Sequence, residues 1–207
     1  MKNYKELSKR EFNRQASIYD ESEVANISKY PKECYPFIMN VLKEREYLSV
    51  LDMGCGTGAM LERISKENPK ANLFGLDLSE NMIKVAEKKK IPRAEYVVGD
   101  AEDLPYENEK FDVVICNQSF HHYPNPRKAF EGAYRVLKQS GIFIVCDMYC
   151  NKVLRAIENN IILKLMNTGD VKTYSSEEVI CLLNQAGFKE VNWQKATKMT
   201  FISYGIK

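Results

Sequence analysis

From residue 47 onward, unbroken apolar runs alternate with stretches in which apolar residues recur every three or four positions. The runs suit strands buried on both faces, and the periodic stretches suit helices with one apolar stripe. Tyr47 to Met53 reads as a first strand, with Leu48, Val50 and Leu51 nearly continuous. After a glycine turn, Met60, Leu61 and Ile64 follow at helical spacing. Leu73 to Leu78 reads as a second strand, and Ser79 then caps a helix carrying Met82, Ile83 and Ala86. Tyr96 to Val98 is a short third strand ending at Gly99 and Asp100, and Phe111 to Cys116 is a fourth. Asn125 to Lys138 is predicted as a helix with Phe130, Ala133, Tyr134 and Leu137 on one stripe. Gly141 opens a fifth strand, Ile142 to Cys146. Such alternation predicts a parallel α/β sheet.

The remainder departs from that rhythm. Val153 to Met166 reads as a helix. Ser175-Ser176-Glu177-Glu178 opens another with a capping-box pattern, and Gly187 closes it. Val191 to Ala196 and Met199 to Tyr204 are separated only by Thr197 and Lys198, too few residues for a parallel crossover, so they pair antiparallel. Residues 1–45 precede the alternation and look mainly helical, interrupted at Tyr30-Pro31 and Tyr35-Pro36. With no internal repeat and no long linker, one domain is expected over residues 1–207: a helical appendage or lid over 1–45 and an α/β core over 46–207.

Composition changes this picture little. The 207 residues are 44% hydrophobic and 28% charged, and 30 basic against 28 acidic residues leave a net charge of +2. No polyanion-binding footprint is visible in that balance, so no nucleic-acid partner is expected. The first residues are polar, without the apolar stretch of a secretory signal, and no run nears the roughly 18 apolar residues that span a bilayer. The expectation is a cytoplasmic protein without membrane insertion, with its six cysteines reduced. Cys55, Cys116, Cys146 and Cys181 stand in apolar or tight-turn contexts. Cys146 and Cys150 lack a third ligand at cluster or zinc spacing, so no metal is expected.

The candidate chemistry begins at Asp52-Met53-Gly54-Cys55-Gly56-Thr57-Gly58. Strand, glycine turn, helix is a backbone cradle whose N–H groups approach a ligand without a Cβ in the way. Alone it also satisfies the dinucleotide pattern, with Ala59 in the last place. Asp77 ends the second strand, where an acid would bind both hydroxyls of a ribose, and Asp100 ends the third. Asp52, two residues before Gly54, stands where it could face a cationic amine. Three acids at successive strand ends favour a ligand with a ribose and a positive charge and without a pyrophosphate.

These residues resemble a known family. Val50 to Gly58 looks like motif I of the class I, Rossmann-like S-adenosylmethionine-dependent methyltransferases. Gly75-Leu76-Asp77-Leu78-Ser79-Glu80-Asn81-Met82 resembles the acidic-loop motif, and Val98 to Pro105 the adenine-contacting segment. Phe111 to Ile115 and Arg135 to Gly141 match later motifs, with Leu-Lys-Gln-Ser-Gly replacing the usual Leu-Lys-Pro-Gly-Gly. Phe12 to Asp20 resembles the N-terminal segment of the branch that includes quinone-biosynthesis and other small-molecule methyltransferases. The resemblance implies a mostly parallel seven-stranded sheet with helices on both faces and an antiparallel C-terminal strand pair. It implies S-adenosyl-L-methionine as cofactor and S-adenosyl-L-homocysteine as product. Gly54, Gly56 and Gly58 would pack against the methionine part, and Asp77 would take the ribose hydroxyls. Leu78 and Met82 would flank the adenine, Asp100 would accept from its amino group, and the Ala101 N–H would donate to the ring. The Asn117 carbonyl would meet the methionine amine, and Tyr19 would close over the cofactor.

The acceptor is less legible. His121 and His122, the only histidines, sit past the fourth strand and are the candidate catalytic residues, able to deprotonate or orient an acceptor. Tyr30, Tyr35, Tyr123, Tyr149 and Tyr174 are candidates for a pocket wall, and Lys88 to Lys90 reads as a solvated helix end. A small-molecule acceptor is the leading expectation, with the oligomeric state open. A methyltransferase of RNA or protein, a non-catalytic cofactor sensor and an NAD-dependent oxidoreductase are the alternatives. The last lacks a second mononucleotide half and a Tyr-x-x-x-Lys dyad.

Overall fold

The alternation predicted from the apolar pattern is what the chain builds. The computed structural model describes residues 2–20 and 29–207. Two helices come first, α1 (Tyr4–Gln15) and α2 (Lys29–Lys43). The alternating part is β1 (Ser49–Met53), α3 (Ala59–Glu67), β2 (Asn72–Asp77), α4 (Glu80–Lys88), β3 (Ala94–Val98), β4 (Phe111–Asn117), α5 (Pro126–Val136) and β5 (Leu137–Met148). Next come α6 (Lys152–Ile157), a π-helical turn (Glu158–Ile162) and α7 (Leu163–Leu165). Then follow α8 (Ser176–Ala186), β6 (Lys189–Lys195) and β7 (Thr200–Ile206).

The seven strands form one sheet in the order β3-β2-β1-β4-β5-β7-β6. β1 to β5 run parallel, whereas β7 pairs antiparallel with both β5 and β6. Period-two alternation divides the core into two layers. Leu51, Met53, Val114 and Phe143 face one way and pack with Phe130 of α5 and Leu183 of α8. Val50, Val113, Ile115 and Ile144 face the other way and pack with Ile38 and Leu42 of α2 and Leu61 and Ile64 of α3. In both layers the central side chains are removed from solvent, with Val50, Leu51, Val114 and Ile144 fully buried. Burial at about 25 cal/mol per Å² makes these residues the main source of stability.

Several local expectations shift. Pro31 and Pro36 do not interrupt the N-terminal helix, because α2 runs through both. Pro31 lies in the first turn, where its missing N–H has no intrahelical partner to lose. Pro36 and Lys32, whose carbonyl it leaves without an intrahelical donor, are both exposed, so the break in the ladder lies on the solvent side of the helix. The third strand begins at Ala94, earlier than its apolar content indicates, because β3 is an edge strand with exposed positions. β5 begins at Leu137, inside the predicted helix. Cys181 is exposed, unlike its buried counterparts Cys55, Cys116 and Cys146. The predicted helix over 153–166 is broken by its π-turn and leaves Val153, Leu154 and Leu165 exposed. Residues 21–28 of the N-terminal segment lie outside the described residues.

Candidate functional site

The reversal of strand order between β1 and β4 opens a crevice at the carboxyl ends of the strands, the usual ligand position in an open α/β sheet. Here it is a cleft bounded by the glycine turn after β1, the ends of β2 to β4, and α1.

The turn is tied to the end of β2. The N–H groups of Gly54 and Cys55 donate to the Leu76 carbonyl at 2.7 and 3.0 Å, and the Gly56 N–H donates to Asp77 Oδ2 at 2.9 Å. The Ser79 N–H donates to Asp77 Oδ1 at 2.8 Å, so the carboxylate is aimed from both sides. Desolvation raises the Asp77 pKa, opposed by these N–H donors. The three glycines, all with positive φ, differ in surroundings. A Cβ on Gly54 would stand 1.9 Å from Ser119 Oγ, whereas one on Gly56 would project into open space. Gly58 N-caps α3 beneath the cleft, and its Cβ would meet Tyr96 Oη at 2.8 Å. Of the expected cofactor set, Gly58 is the member that stands off the cleft lining.

Asp52, Asp77, Leu78, Met82, Asp100, Ala101, Asn117 and Tyr19 all line the cleft. Asp52 is 2% exposed, and its Oδ1 has no hydrogen-bond partner among the described residues. Burial, and after it the Asp77 charge, pushes its carboxyl up to about 7. Asn117 Oδ1 is likewise buried without a partner among the described residues, while Asn117 Nδ2 donates to the Pro31 carbonyl at 3.3 Å. Two unpaired acceptors, one ionisable, therefore belong to residues that line the same cleft. Buried acceptors left unpaired are costly, so such a pair marks a place for a donor from outside the chain.

Helix α1 stands over the adenine side expected from Asp100. Lys5 Nζ bridges Asp100 Oδ2 at 2.6 Å and Glu102 Oε2 at 2.5 Å, and Lys9 pairs with Glu80 at 2.9 Å. Asn13 Oδ1 accepts from Ser79 Oγ at 2.8 Å and from the Asn81 N–H at 3.0 Å. No pattern in the sequence pointed to these clamps, since each joins residues far apart along the chain. Nor is Lys89 merely a solvated helix end: it pairs with Asp20 at 2.7 Å, and Asp20 also accepts from Thr57 Oγ1 at 2.6 Å.

The histidine pair divides. His122 lines the cleft and meets the Phe12 ring edge-on at 5.1 Å, whereas His121 is buried behind it. Burial alone would lower the His121 pKa, but the Asp147 carboxylate, 2.6 Å from Nδ1, raises it overall. His122, desolvated and beside His121, is lowered to about 4 and is neutral near pH 7. Of the five tyrosines, Tyr35 and Tyr123 line the cleft, while Tyr149 and Tyr174 belong to the apolar layer above the sheet.

A methyltransferase domain family matches residues 51–145, the span from β1 to β5 that builds the cleft. That span is just under half of the chain, and the chain as a whole has the Rossmann-like fold of S-adenosylmethionine-dependent methyltransferases. It is 36% identical over 110 residues to the phthiotriol/phenolphthiotriol dimycocerosates methyltransferase of Mycobacterium tuberculosis, covering 53% of this chain and 41% of that protein. It thus spans about two fifths of that relative's length. An uncharacterized protein of Methanocaldococcus jannaschii is 32% identical over 190 residues, covering 92% of this chain and 85% of the other. The fold is similar to a Haemonchus contortus phosphoethanolamine N-methyltransferase solved with phosphomonomethylethanolamine and S-adenosylhomocysteine. That match has a TM-score of 0.78 at 16% identity and covers 100% of this chain and 61% of that one. The residues present fit the cofactor: an unpaired carboxyl and an unpaired amide oxygen on residues lining one cleft suit an ammonium group, and Gly56 leaves the cradle open. Among the described residues, no helix is long and apolar enough to cross a membrane.

Proposed function

We propose that the chain transfers the methyl group of S-adenosylmethionine to a small-molecule acceptor held between the glycine turn and His122. The observation that carries this reading is the cleft itself, lined by Asp52 and Asn117, whose side-chain oxygens are unpaired among the described residues, and by His122. The cofactor supplies an activated methyl on a sulfonium, so the protein's task is binding and orientation. Asp52 and the Asn117 carbonyl oxygen take the amine, Asp77 the ribose hydroxyls, and Asp100 with the Ala101 N–H the adenine edge. Leu78 and Met82 pack on its faces, and Tyr19 with α1 covers the bound molecule. Helix α1 excludes water and fixes the approach, and positioning alone contributes about 7–11 kcal/mol.

A small acceptor is favoured because ion pairs with Asp100, Glu102 and Glu80 hold α1, which itself lines the cleft, against the site. The balanced charge supports the same reading. The named substrate of the mycobacterial relative is a lipid, which makes apolar metabolites the first pool to try. The test is transfer of label from methyl-labelled cofactor into fractionated cell extract. Label in the small-molecule or lipid fraction is expected; label confined to RNA or protein, or cofactor binding with no transfer to any fraction, would overturn the reading.

A further inference from the structure

His121, Asp147 and Asp170 arrive from three places in the chain and meet behind the cleft. The histidine pair occupies a short 3₁₀ turn (Phe120–His122) after β4, Asp147 lies near the end of β5, and Asp170 lies on the loop after α7. That loop is fastened to the turn, because the Val171 N–H donates to the His121 carbonyl at 2.8 Å.

Asp147 orients the His121 ring. Its Oδ1 sits 2.6 Å from Nδ1, and its Oδ2 accepts the His121 backbone N–H at 3.1 Å. Nε2 is thereby aimed at Asp170 Oδ1, 3.6 Å away. The other Asp170 oxygen accepts from the Thr168 hydroxyl. His122 Nδ1 is buried with no hydrogen-bond partner among the described residues. One ligand atom from each of His121, His122 and Asp170 lies within 4.8 Å of the other two.

A separation of 3.6 Å is too long for an N–H···O hydrogen bond. It is close to the spacing of two ligands on one tetrahedral ion: bonds of about 2.0–2.1 Å to nitrogen and about 2.0–2.2 Å to oxygen place those atoms about 3.4 Å apart. We propose that His121, His122 and Asp170 form a binding site for a divalent transition metal ion of the zinc class. Two imidazoles and one carboxylate suit zinc, cobalt or iron, whereas magnesium and calcium favour all-oxygen shells. The surroundings are those of a built site. A metal-bound histidine usually donates its second ring N–H to a carboxylate, as His121 can to Asp147, and a ligating carboxylate is itself hydrogen-bonded, as Asp170 is by Thr168. Cysteine spacing did not reveal the site, because its ligands are an adjacent histidine pair and an aspartate far along the chain.

The experiment uses the full, untagged chain, stripped with a chelator, desalted and titrated with cobalt(II). The expected result is one retained equivalent per chain with the visible absorption of low-coordinate cobalt, displaced by zinc and unaffected by excess magnesium. Asp170→Asn is expected to weaken cobalt binding at least tenfold, and Asp147→Asn by about tenfold to a hundredfold. Because His121→Ala removes a buried ring and can unfold the turn, Asp170→Asn is the deciding variant. Its melting temperature and affinity for S-adenosylmethionine report whether the fold is intact. Failure to retain an ion, or equal affinity and an unchanged spectrum in folded Asp170→Asn, would overturn the site. Cofactor binding measured on the same samples stands or falls separately, so loss of the metal site leaves the methyltransferase reading intact.

Discussion

Replacing Asp52 by Asn tests the donor side most directly, because it changes charge with almost no change in shape. In the folded chain the carboxyl titrates near 7, against about 3.8 when freely solvated, raised first by burial and then by Asp77. A raised carboxyl pKa stabilises the fold below the unfolded value, and that contribution disappears as pH rises through the folded value. At about 1.36 kcal/mol per pKa unit, the whole effect is about 4 kcal/mol, and about 2.7 kcal/mol of it falls between roughly pH 5 and pH 8.5. For a chain of this size that corresponds to about 5–10 °C of melting temperature. The cofactor-free wild type is therefore expected to lose this much relative to Asp52→Asn across that range, as measured by parallel thermal melts of the two proteins. Bound cofactor should reverse the ranking. Its ammonium group pairs with ionised Asp52, so affinity should rise with pH through about 7 in the wild type. The amide should bind about tenfold to a hundredfold more weakly at alkaline pH, the worth of one charge-assisted hydrogen bond. Parallel stability curves for the two proteins from acid to alkaline pH would refute the buried-carboxylate argument. Undiminished affinity in Asp52→Asn would refute the assigned amine contact.

Two glycine substitutions should separate fold from ligand. Gly54→Ala drives a Cβ into Ser119 and should lower stability by about 3 kcal/mol or more in a denaturant melt, whereas Gly56→Ala should cost only the roughly 1–2 kcal/mol of a left-handed residue while weakening cofactor binding at least tenfold by calorimetry. If Gly56→Ala binds normally, the cradle is misplaced. Asp77→Asn keeps the side chain's size but loses its charge, and should weaken cofactor binding at least tenfold; unchanged binding would remove Asp77 from the site. Lys5→Met breaks the pair with Asp100 and Glu102 at a partly exposed position, so stability should move by about 1 kcal/mol or less while stopped-flow cofactor release speeds up severalfold. An unchanged release rate would mean that α1 does not gate the cleft.

What was legible in the sequence was legible for local reasons. β1 and β4 are buried on both faces and so read as continuous apolar runs. Asp52 and Asp77 lie within the carboxyl ends of β1 and β2, and Asp100 follows that of β3, so finding the strands found the acids. α8 announced both ends, through the Ser175–Glu178 capping box and the left-handed Gly187. The misses share a different cause. Lys5 with Asp100, Asn13 with Ser79, and Asp170 with His121 are contacts across long stretches of chain, for which no periodicity or spacing exists. The packing of Gly58 against Tyr96 was not legible, because a positive φ looks the same in sequence whatever the neighbour. Pro36 was read as a break because the sequence alone does not tell that its side of the helix meets water.

The place of β7 has a consequence for how the molecule is made. Residues 200–206 do not extend the sheet at its edge but slot between β5 and β6, pairing with β5 from Ile142↔Ile206 to Met148↔Thr200. During synthesis, β1 to β5 emerge long before that partner. The nascent chain must therefore carry β5 as an open edge, with Val145 and Cys146 ready to be buried and no strand yet available beside them. Such an edge is a template for pairing with a wrong chain, and non-local strand pairing is slow. Ribosome-bound chains stopped before Thr200 should accordingly engage chaperones or aggregate, and release of β7 should be the event that closes the sheet.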